Sequence, residues 1–221
     1  MFKKLFSYIV PINIYKQKSS ISQTLEVTWT NGKLVLDSNN TNYSYGSLQR
    51  ILRKGLKFIG FRKIRNMKNI LVLGVAGGSV IKTLVDEIKY EGAIIGVEID
   101  KAVIEIANEY FQLNEIQNLK IVIEDAFEFV MITETKFDLI IIDIFQDTKM
   151  PDFLFDEKFI YRICHLLNSK GCIIFNTMIL NKNQRKLNLD YTKSFDSKTY
   201  TVTILSKIEK NNELIIVENK L

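Results

Sequence analysis

The sequence has few of the residues that build disulfide-stapled or metal-dependent proteins. Its 221 residues include two cysteines, one histidine, two prolines and one tryptophan. Cys164 and Cys172 cannot form a disulfide framework for a chain of this length, so we expect free thiols in a reducing cytoplasm. The lone His165 lies in an apolar, helix-like run with no Cys/His cluster around it. We therefore expect no zinc or other metal site.

Long apolar runs are missing as well. The longest one near the N-terminus, residues 5–12, contains Pro11 and is too short to span a bilayer. No small-residue cleavage site follows it. With 47% hydrophobic and 25% charged residues, the composition excludes disordered and low-complexity proteins. We expect a folded cytoplasmic protein without a membrane partner.

Acidic residues are absent between Asp37 and Asp86. Residues 1–68 carry 13 basic and 2 acidic side chains, a net charge of +11, whereas residues 69–221 carry 17 basic and 23 acidic ones, a net charge of −6. The eight Arg and Lys side chains of residues 50–68 could contact the phosphates of a nucleic acid. A solvated helix face explains them more simply, so nucleic acid is the less favoured partner.

The N-terminal segment, which we bound at residues 1–66, predicts a β-hairpin and one helix. Residues 25–30 and 33–37 alternate apolar and polar side chains around Asn31-Gly32, which favours a two-residue hairpin turn. After a polar loop at 38–46, apolar residues recur at helical spacing with basic residues between them. The apolar face is predicted to contain Leu48, Ile51, Leu52, Leu56 and Ile59, and the basic face Arg50, Arg53, Lys54 and Lys57. We predict no secondary structure for residues 1–20.

From residue 67 to 221 the pattern predicts a single α/β domain. Short apolar runs alternate with helix-like stretches, which is typical of a parallel sheet covered on both faces. The runs are 70–73, 93–97, 119–123, 137–142 and 172–175. Two further strands, 200–208 and 213–218, are joined too tightly for a crossover helix and must be antiparallel. The predicted fold is Rossmann-like: a doubly wound, mostly parallel sheet with an antiparallel C-terminal hairpin, plus the small N-terminal hairpin segment.

The carboxyl ends of these strands predict an adenosine site. Ligands bind at that edge of an open α/β sheet, and the glycine-rich turn Gly74–Gly78 follows the first strand. Glu98 comes 20 residues after Gly78, where a carboxylate can accept both ribose hydroxyls. Asp125 ends the third strand and could accept from an adenine amino group. Capping or solvated carboxylates are the alternative for each acid taken singly.

The glycine turn departs from the dinucleotide fingerprint G-x-G-x-x-G. Ala76 stands at its second glycine and Ser79 at its third. This argues against a pyrophosphate and for a ligand with adenosine but no phosphates. Together with the antiparallel last hairpin, it indicates an S-adenosylmethionine-type site in residues 67–221.

From about residue 20 to 178 the sequence resembles the spermidine synthase (polyamine aminopropyltransferase) family, within the class I methyltransferase-like fold. The resemblance rests on the segments Gln23-Thr-Leu-Glu-Val27, Ile70–Ser79, Val97-Glu-Ile-Asp100, Asp125-Ala126, Asp143 and Pro151-Asp-Phe-Leu-Phe155. It implies a transferase, with Asp143 catalytic, and a homodimer formed through the N-terminal region. It implies that the residues binding the adenosyl cofactor are Gln23, Gly74, Ala76, Gly77, Gly78, Glu98, Asp125, Ala126 and Asp143.

Departures from the family pattern bear on the reaction. Gly77 stands where the family has an Asp that faces the cofactor's amino end, and Asp143-Ile-Phe-Gln146 replaces Asp-x-x-Asp-Pro, with Asp147 displaced by one place. Residues 42–49 contain no acid, although the family places polyamine-binding acids there. A doubly charged decarboxylated donor and a diamine both need carboxylates. Intact S-adenosylmethionine carries its own carboxylate, which a helix N-terminus tolerates.

These departures leave three hypotheses. Methyl transfer from S-adenosylmethionine to a small-molecule acceptor ranks slightly first. The second is spermidine synthase activity, with decarboxylated S-adenosylmethionine and putrescine. The third is a non-catalytic protein that binds an adenosyl ligand. Tyr43 and Tyr45 could form part of a lid over the acceptor or, equally, pack onto the N-terminal hairpin.

Overall fold

The N-terminal segment folds as a four-stranded antiparallel sheet in the computed structural model. The structure describes residues 2–38, 42–44, 46–146, 149–209 and 211–221, without the side chains of residues 23, 38, 42, 43, 47 and 48. After the short helix α1 (Phe2–Phe6), the strands are β1 (Ile12–Ser19), β2 (Gln23–Thr30), β3 (Lys33–Ser38) and β4 (Asn42–Ser44). They pair in sequence order.

The predicted hairpin is β2 and β3. Thr30 pairs with Lys33 across the Asn31-Gly32 turn, where both residues have positive φ. Strand β1, in a stretch for which we predicted no structure, lies against the other edge of β2, and Ile12 pairs with Trp29. Its sequence alternates weakly and its register shifts once, so its pairing depends on the edge that β2 offers.

The rest of the chain contains a seven-stranded sheet. Its strands are β5 (Asn69–Leu73), β6 (Ala93–Glu98), β7 (Leu119–Ile123), β8 (Phe137–Ile142), β9 (Leu167–Met178), β10 (Tyr200–Ile208) and β11 (Asn212–Asn219). The order across the sheet is β10-β11-β9-β8-β5-β6-β7. Strands β5 to β9 are parallel, and β11 runs antiparallel between β9 and β10. The Rossmann-like prediction, including its antiparallel C-terminal hairpin, is confirmed.

Helices cover both faces of this sheet. They are α2 (Gly46–Ile59), α3 (Phe61–Arg65), α4 (Ser79–Lys82) with a π-helical turn (Thr83–Glu87), α5 (Lys101–Phe111), α6 (Ala126–Ile132), α7 (Glu157–Leu166) and α8 (Lys182–Lys193). Helix α2 buries Ile51, Leu52, Leu56 and Ile59 in the same core as β5, β9 and β11. Four of the five residues predicted for the apolar face of this helix therefore pack on the large sheet, and the side chain of the fifth, Leu48, lies outside the described residues. The boundary between residues 66 and 67 stays a prediction.

Helix α8 lies in a stretch that the sequence analysis leaves as a loop, residues 179–198. Its sequence is mostly polar, so no apolar periodicity marks it. The Asn181 side chain accepts a hydrogen bond from the Gln184 amide and caps the helix N-terminus. Asn188 and Tyr191 are its buried residues, and Tyr191 stacks edge-on against Phe175 of β9. Two buried side chains thus hold a helix that is otherwise mostly exposed.

A buried carboxylate joins the two sheets. Asp100, which is 4% exposed, caps α5 by accepting from the Ala102 amide through Oδ1. Its Oδ2 accepts from the hydroxyls of Ser19 and Ser22, at 2.5 and 2.6 Å. These serines flank the turn between β1 and β2, so the N-terminal sheet is fixed next to the end of β6. Across the described ranges, no helix is long and apolar enough to cross a membrane.

Substitution of Asp100 tests this junction. Asp100→Ala removes a helix cap and leaves two buried hydroxyls without their charged acceptor, so we expect the free energy of unfolding to fall by about 3–4 kcal/mol. Asp156→Ala is the matched control, because Asp156 caps α7 through the Lys158 amide but is exposed. It should lose about 1 kcal/mol. Chemical denaturation measures both, and equal losses would show that the serine contacts contribute nothing.

Candidate active site

The predicted site residues come together at the carboxyl edge of the large sheet. Strands β8, β5, β6 and β7 are neighbours in that order. Asp143 follows β8, Gly74 follows β5, Glu98 ends β6, and Asp125 comes shortly after β7. Because parallel strands end at one edge, these four segments, which are distant in sequence, lie side by side at the edge where open α/β sheets form their ligand crevice. The described residues contain no group of three or more His, Cys, Asp and Glu side chains that could hold a metal ion.

The glycine turn packs its backbone directly against the neighbouring strand. Gly74 has φ +86°, and a Cβ there would lie 2.2 Å from the carbonyl oxygen of Asp143. Gly78, at the N-terminus of α4, has φ +78°, and a Cβ would lie 2.5 Å from Leu113 Cδ1. Both positions therefore require glycine. Ala76 also has a positive φ, and Gly77 is buried.

Glu98 holds this turn in place. Its Oε2 accepts from the amides of Val75 and Ala76, at 3.1 and 3.0 Å, and its Oε1 accepts from the Asp100 amide at 3.1 Å. Burial raises the pKa of Glu98, although the three amides act in the opposite direction. A carboxylate has about four acceptor positions, so these bonds leave capacity for a ligand hydroxyl.

Asp125 caps helix α6. Its Oδ1 accepts from the Phe127 and Glu128 amides, at 2.7 and 3.4 Å. Among the described residues nothing donates to its Oδ2, so one oxygen stays available at the crevice. Ala126 is buried as the first residue of the same helix. The capping role named as an alternative is therefore present, and contact of Asp125 and Ala126 with an adenosyl ligand stays a prediction.

Asp143 is held by Asn176, which is itself held by Asn212, and the sequence analysis identified neither asparagine. Its amide donates to the Leu73 carbonyl at 2.9 Å, and its Oδ1 accepts from Asn176 Nδ2 at 2.8 Å. Asn176 in turn accepts from Asn212. Burial raises the pKa of Asp143 to about 6, with a further contribution from the Glu98 charge and opposition from the Asn176 bond. The available signal was an asparagine directly after the buried run Cys172–Phe175.

Several predicted features lie outside the described residues. They are the side chains of Gln23 and Tyr43 and the whole of Tyr45 and Asp147. Between the two tyrosines, Ser44 is buried, and its Oγ accepts from the Ser79 amide at 3.3 Å. Strand β4 therefore reaches the N-terminus of α4, beside the glycine turn.

Half of the basic cluster at residues 50–68 is engaged within the protein. Arg50 and Arg53 pair with Glu209 and Glu87, and Lys63 pairs with Glu218. Arg65 donates to the Ile88 carbonyl. These contacts join α2 and α3 to the large-sheet part of the chain. A role in binding nucleic acid stays a prediction, with four cations already occupied.

Comparison with known families supports the resemblance. The spermine/spermidine synthase domain family matches residues 49–210. A polyamine aminopropyltransferase of Methanocaldococcus jannaschii is 30% identical over 168 residues, which cover 73% of this chain and 56% of that protein. One of Vibrio vulnificus is 31% identical over 118 residues, which cover 52% of this chain and 39% of the relative. The chain thus spans about half the length, or less, of the curated relatives that it matches.

Solved structures share the fold at low sequence identity. A spermidine synthase from Thermotoga maritima superposes with a TM-score of 0.70 at 20% identity, covering 95% of this chain and 73% of that one. A spermidine synthase in complex with the transition state analogue AdoDATO gives a TM-score of 0.69 at 20% identity, with the same coverage.

Replacing Asp143 tests the cost of its buried charge. The pKa of about 6 in the folded protein lies above the ordinary 3.8, so ionisation opposes folding above pH 4 and most strongly above pH 6. Asp143→Asn should therefore raise the free energy of unfolding at pH 7 by about 1–3 kcal/mol. The difference should vanish below about pH 4. Denaturation at several pH values measures it.

Asp138→Asn is the control with the opposite sign. Asp138 lies at the other end of β8, where burial alone would raise its pKa, but the Lys68 and Asn69 amides and Asn168 lower it by hydrogen bonding. Its replacement should destabilise the protein at pH 7 and lose that effect as the pH falls below 4. A stabilisation by both variants would contradict the burial argument for Asp143.

Proposed function

Because this chain belongs to the spermine/spermidine synthase family, we propose that it transfers an aminopropyl group from decarboxylated S-adenosylmethionine to a small amine acceptor. The observation that carries the proposal is that Asp143, the glycine turn and Glu98 meet at one edge of the large sheet. The half-buried Asp143 stands beside a glycine turn that Glu98 holds by accepting from two backbone amides. This arrangement offers an adenosyl site and an acceptor group at neighbouring strand ends.

The donor's adenosine is assigned to the β5–β7 side of the crevice. Glu98 has acceptor capacity left for the ribose hydroxyls, and Asp125 Oδ2 can accept from the adenine amino group. Between Glu98 and Asp100, Ile99 is 45% exposed and offers an apolar surface for the purine ring. The residues present therefore fit an adenosyl ligand that has no phosphate groups.

Asp143 is assigned to the acceptor. The donor's sulfonium makes the adjacent carbon electrophilic. The amine nitrogen bonds to that carbon, the carbon–sulfur bond breaks with its electron pair left on sulfur, and the amine loses one proton. With a pKa near 6, Asp143 is mostly ionised at pH 7 and can hold the amine by a hydrogen bond and accept that proton. Positioning by the crevice supplies most of the acceleration.

The comparisons reverse the order of the first two hypotheses. The sequence analysis ranks methyl transfer first, but the curated relatives named here are polyamine aminopropyltransferases, and none of them supports methyl transfer. Methyl transfer is the second candidate because of one feature, the missing acids. Gly77 lies in the turn where the family has an Asp, and residues 38–85 contain no acid. A site for an intact donor needs fewer carboxylates than a site for the decarboxylated one.

Calorimetry with both donors, followed by mass spectrometry of products formed with putrescine, tests the proposal. We expect tighter binding of decarboxylated S-adenosylmethionine and an acceptor heavier by one aminopropyl group. Tighter binding of the intact donor and a methylated product would replace the proposal by methyl transfer. Binding of either donor without turnover, in the wild type as in Asp143→Asn, would identify a non-catalytic adenosyl-binding protein.

Gly77→Asp should strengthen donor discrimination. A carboxylate in the turn would face the donor's ammonium group, as the family resemblance implies, and would repel the carboxylate of the intact donor. We expect the affinity ratio to move about tenfold toward the decarboxylated donor. Gly77→Asn is the control of equal size and no charge, and it should leave the ratio unchanged. An equal effect of both substitutions would show that size, rather than charge, acts at this position.

A further inference from the structure

Three neighbouring strands each contribute one polar side chain to the edge where Asp143 lies. Asp143 follows β8, Asn176 lies near the end of β9, and Asn212 is the first residue of β11. Because β11 runs antiparallel to β9, its first residue reaches the edge where the parallel strands end, and Asn212 pairs with Met178. The C-terminal hairpin therefore delivers a side chain to the candidate active site.

The three side chains form one directional chain of hydrogen bonds. Asn212 Nδ2 donates to Asn176 Oδ1 at 3.1 Å, and Asn176 Nδ2 donates to Asp143 Oδ1 at 2.8 Å. Asn176 is 0% exposed and Asn212 is 9% exposed. An asparagine amide has its acceptor on one side and its donors on the other. Donation from Asn212 therefore fixes which side of Asn176 faces the carboxylate.

We propose that Asn212 is a positioning residue for Asp143, acting through the Asn176 amide, which it holds with its donor toward the carboxylate. We call the hydrogen-bond chain from Asn212 through Asn176 to Asp143 the relay. The effect of the relay on turnover rests on the proposed function, whereas its effect on the Asp143 carboxyl does not. In the reversed orientation Asn176 Oδ1 would face Asp143, and only a protonated carboxyl could bond to it. Asn212 thereby favours the ionised form that can accept a proton.

The electrostatic surroundings of Asp143 make its protonation depend on the hydrogen bond from Asn176. Burial raises the pKa of Asp143, and the negative charge of Glu98 on β6 raises it further. Among the described residues, Glu98 is the charged group whose electrostatic effect on Asp143 is resolved. The hydrogen bond from Asn176 lowers the pKa of the same carboxyl. Without a correctly oriented Asn176 amide, the remaining influences all favour the protonated form.

The experiment measures the pKa of Asp143 directly, by NMR titration of carboxyl-labelled aspartate, with the Asp143→Asn spectrum for assignment. It needs no donor and no turnover. Asn212→Leu should raise the pKa of Asp143 by about one to two pH units, because Asn176 is no longer held with its amide toward the carboxylate and its hydrogen bond to that charged group is weakened or lost. Asn176→Leu should raise it at least as much. Asn212→Ala removes the donor without apolar bulk and gives the same readout if the leucine variant does not fold.

A double substitution separates a relay from an independent effect. If Asn212 acts only through Asn176, Asn176→Leu/Asn212→Leu should shift the pKa no further than Asn176→Leu alone. Asn188→Leu is the matched control, because Asn188 is 0% exposed and bonds to Thr177 and Glu213 rather than to Asp143. It should lower stability and leave the pKa of Asp143 unchanged.

Each outcome bears on the relay separately from the proposed function. An unchanged pKa in the Asn212 variants, an additive double variant, or an equal shift in Asn188→Leu would overturn the relay. A shifted pKa in a protein without transferase activity would retain the relay and reject the proposed function. Where turnover is present, the acid limb of the kcat profile should move with the pKa of Asp143, while KM for the donor stays constant.

Discussion

Carboxylates at the carboxyl edge of the large sheet lose much of their hydration, and the surrounding structure replaces the lost hydrogen bonds. Glu98 accepts hydrogen bonds from three backbone amides, and Asp100 accepts them from two serine hydroxyls and a helix amide. Asp143 accepts one from an asparagine side-chain amide. A buried carboxylate without such donors would be strongly destabilising. The glycine turn and the N-terminal sheet supply such donors directly, and the C-terminal hairpin supplies Asn212, which bonds to the donor Asn176.

The basic N-terminal segment forms ion pairs with the acidic remainder of the chain. Arg50, Arg53 and Lys63 of the basic helices pair with acids that come later in the sequence, at positions 209, 87 and 218. Such exposed pairs contribute little to stability, so the buried apolar face of α2 supplies most of the free energy that holds this helix on the sheet. The ion pairs instead favour one orientation of α2 and α3 on the sheet.

Much of the fold could be predicted because its signals are local. The Asn31-Gly32 turn, the apolar strands and the acids that follow them each depend on a few adjacent residues. Strand β1 and helix α8 could not be predicted in this way. Pairing with β2 stabilises β1, and two buried side chains, Asn188 and Tyr191, hold the otherwise polar α8. Their stability arises from partners distant in sequence.

The sequence by itself determined the Rossmann-like order of elements, the family, and the carboxylates at the strand ends. It did so because strand periodicity, turn chemistry and motif spacing are properties of consecutive residues. Only the tertiary structure decided which donors satisfy those carboxylates. Ser19 and Ser22 are some 80 positions from Asp100, and Asn176 and Asn212 lie on strands that become neighbours only when β11 inserts antiparallel beside β9. Hydrogen-bond partners across a sheet depend on strand order and register, which no local pattern specifies.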